Sequence, residues 1–424
     1  VAVFNPLSIP VASAVQLNVK VSKITDAGGQ SVPIQYVRGP QTNGSDHENT
    51  IFIAQVPALG YSLYYLYKDA ENPLPFGEIE KTAEPFLLEN EYLRIKFDEH
   101  TGGIESFYDK LSAYEYAENA MAAATVIDDT ASDTWAHGIF SFDKSIGRFE
   151  KPKFQWLDHG SVRTAIRITT YYNESCLIQD FILYADKREL EVHCKLDFHE
   201  KWKIVKLSFP LQLNRVQAIY SMPYGFLAKE ADGLEEPAQE WTVLAEKDSE
   251  AGFALVNDCK HSFSCKNAEL RMIIARGTAY ADHFGERDDF MEFQDQGEQE
   301  FCYKIMPCST HNLNEVIRSA AQLHQPLIPI METHHDGVLP PTFTGICISA
   351  SNVLAEVIKT AEYSDGTILR LYETDGQDTE AAIDIPVLNC HFRASLKRQE
   401  IKTFYIPCEG GMPVETDLLE LQMN

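Results

Sequence analysis

A first short stretch combines residue types that can bind a sugar. Asp133, Trp135 and His137 place a carboxylate, an indole and an imidazole within five residues, next to Gly138. An aromatic plane can stack on the apolar C–H face of a sugar ring while neighbouring polar groups bond its hydroxyl rim. The alternative is a loop tryptophan that packs on its own domain, and the pattern leaves both interpretations open.

A second stretch carries Arg276, Tyr280, Asp282 and His283. It leaves an apolar, strand-like segment and enters the polar run GERDDFMEFQDQGEQEF. Loops that project from a rigid sheet are where binding residues concentrate. The alternative is a solvated acidic loop without a ligand.

Other chemistries have less support in the sequence. The chain has no GxxxxGK[ST], GxGxxG, GxSxG or CxxC motif. The sequence therefore does not indicate a phosphate-binding loop, the nucleophile elbow of a hydrolase or a zinc-ribbon site. The run His334-His335-Asp336 offers three metal-binding groups, but successive side chains on an extended segment point to opposite sides. With 63 acidic residues, any choice of a carboxylate pair would be arbitrary. We therefore predict no catalytic residue and no metal ligand in this chain.

Alternation of apolar and polar residues with a period of two dominates the segments that must position these two stretches. Residues 190–198, LEVHCKLDF, alternate apolar and polar side chains, which predicts a strand with one face on a core and His193 on the solvent face. Residues 93–97 alternate in the same way, residues 98–103 form a turn, and residues 104–108 return as a hairpin. Residues 162–172 and 270–275 also predict strands.

Helix is indicated clearly at one place only, residues 311–325, which end before Pro326. One helix among many strands predicts an all-β chain. We divide it into a small β domain at 1–80, a large β-sandwich at 81–328 and a small β domain at 329–424. Linkers are predicted around residues 71–75 and at residues 331–341.

The amino-acid composition limits the classes of molecule that this chain is expected to bind. The 36 basic and 63 acidic residues give a net charge of −27, which disfavours nucleic acid and anionic lipid but carries no penalty for neutral sugars. No apolar run of about 18 residues indicates a membrane span. Nine thinly spread cysteines are typical of free, mostly buried thiols and a reducing cytoplasm, with extracellular disulfides as the alternative.

Thirteen short motifs, in their order along the chain, resemble the C-terminal half of glycoside hydrolase family 38, the α-mannosidases. They are VFNPLS (3–8), VPALGY (56–61), LENEY (88–92), TGGI (101–104), DTWAHG (133–138), DFHEKWK (197–203), PYG (223–225), EPAQEW (236–241), VND (256–258), YADH (280–283), DQG (295–297), KTAE (359–362) and LRLYE (369–373). Each motif is short, and their order across nearly the whole chain carries the resemblance.

The resemblance implies a galactose-mutarotase-like sandwich flanked by smaller β-sandwich units. It also implies retaining cleavage of α-mannosides through a covalent intermediate on an aspartate, with a zinc ion held by histidines and aspartates. In that family these groups lie in an N-terminal barrel and helical bundle that precede the VFNPLS landmark. We therefore expect zinc in the full-length enzyme, no cofactor in this chain, and no hydrolysis by this chain alone.

The role that remains for this chain is to support the sugar pocket. We predict that Asp133, Trp135, His137, Arg276, Tyr280, Asp282 and His283 form part of the pocket rim, with the N-terminal catalytic domain and an α-mannoside as partners. One alternative is a stand-alone carbohydrate-binding module, which surface aromatics such as Trp135 and Trp202 would favour. Others are a mutarotase-type enzyme with a His and a carboxylate, or a scaffold that also forms homo-oligomer contacts.

Overall fold

The computed structural model describes residues 1–41, 47–69, 86–281, 288, 290–408 and 411–421. Strand makes up 56% of it and helix 4%, so the predicted all-β class is confirmed. The first eighteen strands are β1 Ala2–Phe4, β2 Val11–Leu17, β3 Lys23–Thr25, β4 Ser31–Val32, β5 Ile34–Arg38, β6 Glu48–Val56, β7 Tyr61–Leu63, β8 Tyr65–Tyr67, β9 Leu87–Glu89, β10 Leu93–Phe97, β11 Ile104–Asp109, β12 Tyr114–Glu115, β13 Ala123–Asp128, β14 Ser145–Arg148, β15 Glu150–His159, β16 Arg163–Tyr172, β17 Ser175–Tyr184 and β18 Leu190–Phe198. The later elements are β19 Lys203–Pro210, β20 Val216–Met222, β21 Gly225–Glu230, β22 Asp232–Pro237, β23 Trp241–Glu246, β24 Ala251–Asn257, β25 Ser262–Lys266, β26 Glu269–Arg276, β27 Gly297–Ser309, α1 Asn314–His324, β28 Ile328–Ile330, β29 Thr342–Phe343, β30 Cys347–Ile348, β31 Val353–Thr360, β32 Gly366–Glu373, β33 Thr379–Ile385, a 3-10 turn Pro386–Leu388, β34 Cys390–Leu396, β35 Ile401–Pro407 and β36 Val414–Thr416.

The chain folds into two compact units, Glu78–His311 and the pair Val1–Gly77 with Asn312–Asn424. The first contains a four-stranded sheet β12-β11-β10-β9, a six-stranded sheet β14-β13-β19-β26-β25-β22 and a nine-stranded sheet β15-β16-β17-β18-β27-β24-β23-β20-β21. The second contains five smaller sheets of three or four strands. The division into domains at 1–80, 81–328 and 329–424 stays a prediction about which segments fold independently.

The sheets of the unit Glu78–His311 face one another across one hydrophobic core. Phe209 on β19 and Tyr303 on β27 meet edge-on with ring centroids 5.8 Å apart, which joins the six- and nine-stranded sheets. Phe107 on β11 and Phe253 on β24 meet at 5.3 Å and join the four-stranded sheet to the same core. Face-to-face antiparallel sheets around a shared apolar layer make this unit a β-sandwich.

The alternating patterns fold as predicted. Along β18 every second side chain, from Leu190 to Phe198, is buried, while His193 is exposed. The turn between β10 and β11 is closed by Asp98, whose carboxylate accepts the His100 amide and the Thr101 hydroxyl at 2.9 and 2.7 Å. The predicted helix is α1, which ends two residues before Pro326.

The second unit joins the beginning and the end of the chain. Strand β1 pairs with β28 on one side and β7 on the other, with Val3 opposite Pro329 and Ser62. The buried side chain of Asn5 donates to the carbonyls of Ile9, Val56 and Pro57 at 2.7, 3.2 and 2.9 Å. The VFNPLS and VPALGY motifs are therefore held together by one amide, which gives both a structural role.

Two further expectations concern segments without regular structure. Residues 331–341 are mostly exposed and form no strand, as predicted for a linker, whereas residues 71–75 lie outside the described residues. Within the described part of the chain, no helix has the length and apolarity to span a bilayer.

Candidate functional site

The topology of the six-stranded sheet brings the two predicted binding stretches to one place. Strands β13 and β26 both pair antiparallel with β19, with Asp128 opposite Lys203 and Arg276 opposite Ile204. Both therefore end beside the start of β19, and the segments that follow them leave the sheet at the same edge. Residues 129–138 and 277–281, which are far apart in sequence, become neighbours for this reason.

Backbone hydrogen bonds fasten these segments to each other. Thr134 donates its amide to the Ala279 carbonyl at 3.1 Å, and its hydroxyl accepts the Ala281 amide at 3.1 Å. The segment before β19 lies between them, because Trp202 accepts the Asp129 amide at 2.9 Å and donates to the Gly277 carbonyl at 2.6 Å. The three segments form one layer at the end of the sandwich.

Arg276 is the hub of this layer. Its guanidinium donates to both Asp129 carboxylate oxygens at 2.9 and 3.3 Å, to the Ser132 hydroxyl at 2.6 Å and to the Asp133 carbonyl at 2.8 Å. The Asp129 carboxylate is fully buried, so this pair is a desolvated, two-pronged charge contact. The guanidinium also lies over the Phe142 ring, 4.8 Å from its centroid. Arg276 therefore positions the 129–138 loop from inside.

The aromatic members of the predicted set point outward. Trp135 is 62% exposed and Tyr280 65% exposed. His137 is exposed as well and is parallel to Trp135, with ring planes 3° apart and centroids 6.0 Å apart. The buried Asp133 carboxylate accepts the Trp135 amide at 2.9 Å, which fixes the backbone below the indole. The loop thus exposes two parallel aromatic rings above a backbone that Asp133 holds in place.

The predicted rim residues consequently divide into two groups. Asp133 and Arg276 lie inside the layer and hold it, whereas Trp135, His137 and Tyr280 face solvent. Asp282 and His283 lie outside the described residues. Contact of any of the seven with a sugar stays a prediction.

The structure adds supporting residues that the sequence reasoning did not select. Glu200 is buried and accepts from Lys203 at 2.8 Å and from the Asn173 amide at 3.2 Å, while its carbonyl accepts the Gln296 amide at 3.0 Å. Trp202 is only partly exposed and meets Phe293 edge-on at 5.2 Å. It packs within the layer and is not an open stacking platform. The motif DFHEKWK marks both residues, but nothing in its letters shows that Glu200 is buried.

A carboxylate with a lowered pKa lies beside the 129–138 loop. A hydrogen bond from Lys144, with further bonds from Thr130, lowers the pKa of Asp128 to about 2. The carboxylate at the end of β13 is therefore ionised at any physiological pH. Together with buried Asp129 it gives the base of the 129–138 loop two neighbouring acidic groups, each paired with a cation.

Clefts lie at the opposite end of the same strands. One of about 760 Å³ is lined by residues that follow β19 and precede β26, including Leu211, Arg215 and Asn267. A second of about 410 Å³ shares Glu118 and Asn267 with it. Neither is lined by Trp135 or by the other rim residues that the structure describes.

Metal-binding groups converge at one place within the described ranges. Glu191, His193 and Cys302, on the nine-stranded sheet, have donor atoms that all lie within 4.8 Å of one another. The run His334-His335-Asp336 is exposed and does not form such a group. It therefore does not fit the zinc centre that the resemblance implies.

Comparison with known proteins shows what this chain is similar to. Residues 88–284 match the model of the glycosyl hydrolases family 38 C-terminal domain. Human "Alpha-mannosidase 2C1" is 25% identical over 372 residues, which cover 82% of this chain and 34% of that protein. "Alpha-mannosidase G" of Dictyostelium discoideum is 21% identical over 405 residues, covering 87% of this chain and 35% of that protein. The chain thus spans about a third of the length of these curated relatives.

A solved structure shows the same fold. The crystal structure of an α-mannosidase from Enterococcus faecalis V583 superposes with a TM-score of 0.76 at 12% identity and covers 95% of this chain and 55% of that one. At that identity the likeness concerns the fold alone.

Proposed function

We propose, from the premise that this chain belongs to the C-terminal portion of glycoside hydrolase family 38, that its large β-sandwich completes the sugar pocket of a retaining α-mannosidase. The observation that carries the proposal is the layer at the end of the sandwich. Loops that are far apart in sequence are fastened together by Arg276 and present Trp135 and Tyr280 to solvent. Aromatic side chains on a rigid base suit the stacking of a sugar ring.

The division of labour follows from what each group can do. Trp135 and Tyr280 supply stacking surface and one phenol hydroxyl, while Asp133 and Arg276 hold the loop that carries the indole. The attacking carboxylate and the zinc ion of the family belong, in this proposal, to a catalytic domain of the same polypeptide. We therefore propose that this chain alone does not hydrolyse α-mannosides.

The proposal extends to location and substrate. All nine cysteines are free thiols, which suits a reducing cytoplasm. The excess of acidic residues favours a neutral oligosaccharide over a phosphorylated ligand. Binding of an α-mannoside and a cytoplasmic site of action are both parts of the proposal.

The rim can be tested by kinetics in the longer enzyme that carries this chain. Trp135→Ala and Tyr280→Ala should raise KM or lower kcat for an α-mannoside while the melting temperature stays unchanged, because both side chains are exposed. Leu111→Ala is the matched control, since Leu111 is also 65% exposed but lies on the turn after β11. Wild-type kinetics in both aromatic variants would refute the rim assignment.

A second candidate function has one observation in its favour. The parallel Trp135 and His137 rings form an open surface of the kind that carbohydrate-binding modules use. Titration of the isolated chain with mannose and short α-mannosides, followed by tryptophan fluorescence, distinguishes the two. Saturable binding that Trp135→Ala abolishes would favour a binding module, whereas no binding without the catalytic domain is expected for a rim.

A further inference from the structure

We infer that Glu191, His193 and Cys302 form a binding site for one thiophilic divalent transition-metal ion of the zinc class, set across two central strands of the nine-stranded sheet. The inference does not depend on the α-mannosidase proposal. It revises the expectation that His193 is only a solvent-facing strand residue and that this chain contributes no metal ligand.

The backbone explains why these three side chains meet. Glu191 and His193 are two apart on β18 and therefore share one face of the sheet. Cys302 on β27 is directly opposite His193 in the antiparallel register. Directly opposed residues have Cβ atoms about 5 Å apart, so the thiol reaches the same space as the imidazole. The donor atoms of all three lie within 4.8 Å of one another.

The donor types select the class of ion. A thiolate, an imidazole and a carboxylate are the ligands that zinc takes in proteins, and the sulfur disfavours calcium and magnesium. Three protein ligands leave one position of a tetrahedral ion, and His193 is exposed, so water can occupy that position.

The charges around the site permit a cation. Glu191 is an acidic side chain that is mostly enclosed and shares a hydrogen bond with His193. Lys304 lies 3.6 Å from Glu191, yet it also pairs with Glu189 at 2.8 Å. The second carboxylate balances the ammonium, which leaves the charge of Glu191 for an incoming ion.

Binding requires a small local change with a balanced exchange of protons. Nε2 of His193 and Oε1 of Glu191 are 2.7 Å apart and share a hydrogen bond. Two donors on a tetrahedral zinc ion stand about 3.3 Å apart, so the side chains must separate by roughly half an ångström. The S–H bond of Cys302 breaks and its proton leaves to water. Nε2 of His193 also gives up the proton that it shares with Glu191, and the ring carries one at Nδ1 instead, so the imidazole stays neutral. Three metal–ligand bonds form as three waters leave the hydrated ion.

Cobalt reports the sulfur ligand directly. The full 424-residue chain, kept reduced and freed of metal with a chelator, is titrated with Co²⁺ and then with Zn²⁺. We expect one cobalt ion per chain, a near-ultraviolet thiolate-to-cobalt charge-transfer band, and loss of that band as zinc displaces cobalt. Zinc should also raise the melting temperature, because the three ligands converge only in the folded chain.

Variants locate the site. Cys302→Ser should abolish the band and weaken zinc binding at least about 100-fold, and His193→Gln should weaken binding to a similar degree. The matched control is His199→Gln, since His199 also pairs with an acid two residues away, Asp197 at 2.8 Å, and is about as exposed as His193. Cys259→Ser controls for an exposed thiol. Both controls should bind as the wild type does.

Three results would overturn the inference. One is cobalt binding without the charge-transfer band. Another is a band that survives Cys302→Ser or disappears in Cys259→Ser. The third is equal loss of affinity in His193→Gln and His199→Gln, which would indicate general surface binding by histidines.

Discussion

Replacement of Arg276 by alanine is expected to destabilise the unit Glu78–His311 by about 3–5 kcal/mol. The side chain donates to Asp129, Ser132 and the Asp133 carbonyl, and the Asp129 carboxylate has no exposed surface. Removing the guanidinium leaves that charge buried without a partner, and an unpaired buried charge costs far more than a lost surface contact. The Ser132 and Asp133 groups can recover part of their bonding from water.

The measurement uses equilibrium unfolding in urea followed by tryptophan fluorescence. All four tryptophans of the chain lie between residues 135 and 241, so the signal reports the unit that contains Arg276. Arg276→Lys keeps a charge but not the two-pronged geometry, and an intermediate loss is expected. Arg148→Ala is the control, because that arginine and its partner Glu150 are both more than half exposed, and its loss should stay below about 1 kcal/mol.

A double-mutant cycle isolates the pair itself. Removing Asp129 together with Arg276 should be less harmful than the two single changes added, with a coupling energy of about 1–3 kcal/mol. A loss below about 1 kcal/mol in Arg276→Ala, or additivity in the cycle, would refute the hub role of Arg276.

Three further predictions follow from packing and charge. Gly277→Ala should destabilise the chain by about 1–3 kcal/mol or more, because a Cβ there would lie 2.0 Å from the Glu200 carbonyl oxygen; a wild-type melting temperature would contradict this. Phe209→Ala, in the shared core, should cost about 3–5 kcal/mol in urea unfolding. Burial acts to raise the pKa of Asp109, but hydrogen bonds from Arg188 hold it below its usual value. The stability that this carboxylate contributes is therefore present above the unfolded-state pKa of about 4 and lost as pH falls through the lower folded-state pKa. The difference in the free energy of unfolding between the wild type and Asp109→Asn should therefore become smaller as the pH falls through that range. A difference that stays the same between pH 7 and pH 3 would contradict this prediction.

The elements of this fold were accessible from the sequence because each depends on local pattern. Alternation along residues 190–198 predicted β18, and Pro326 predicted the end of α1. The pairing of strands within the sheets could not be predicted. Alternation with a period of two shows that a strand exists, but not which strand lies beside it. The register of Ala2 with Ile330 joins the two ends of the chain, and no local feature of either segment indicates it.

The candidate site shows the same limit. Sequence selected Trp135 and Tyr280 as exposed aromatics in loops, and the structure exposes both. It also selected Arg276 as a ligand-binding group, and the structure shows contacts of that side chain with Ser132, the Asp133 carbonyl and the Asp129 carboxylate, which is 147 residues away. The convergence of Glu191 and His193 with Cys302 likewise depends on strand register, which composition and spacing do not contain.

The proposal that this chain completes the pocket of a separate catalytic domain is tested most directly by its own activity. The purified 424-residue chain is incubated with a chromogenic α-mannoside, with and without added zinc, beside a longer α-mannosidase that carries the same chain. We predict release of the chromophore by the longer enzyme and none above the buffer rate by this chain in either condition. Steady turnover by this chain alone would contradict the proposal.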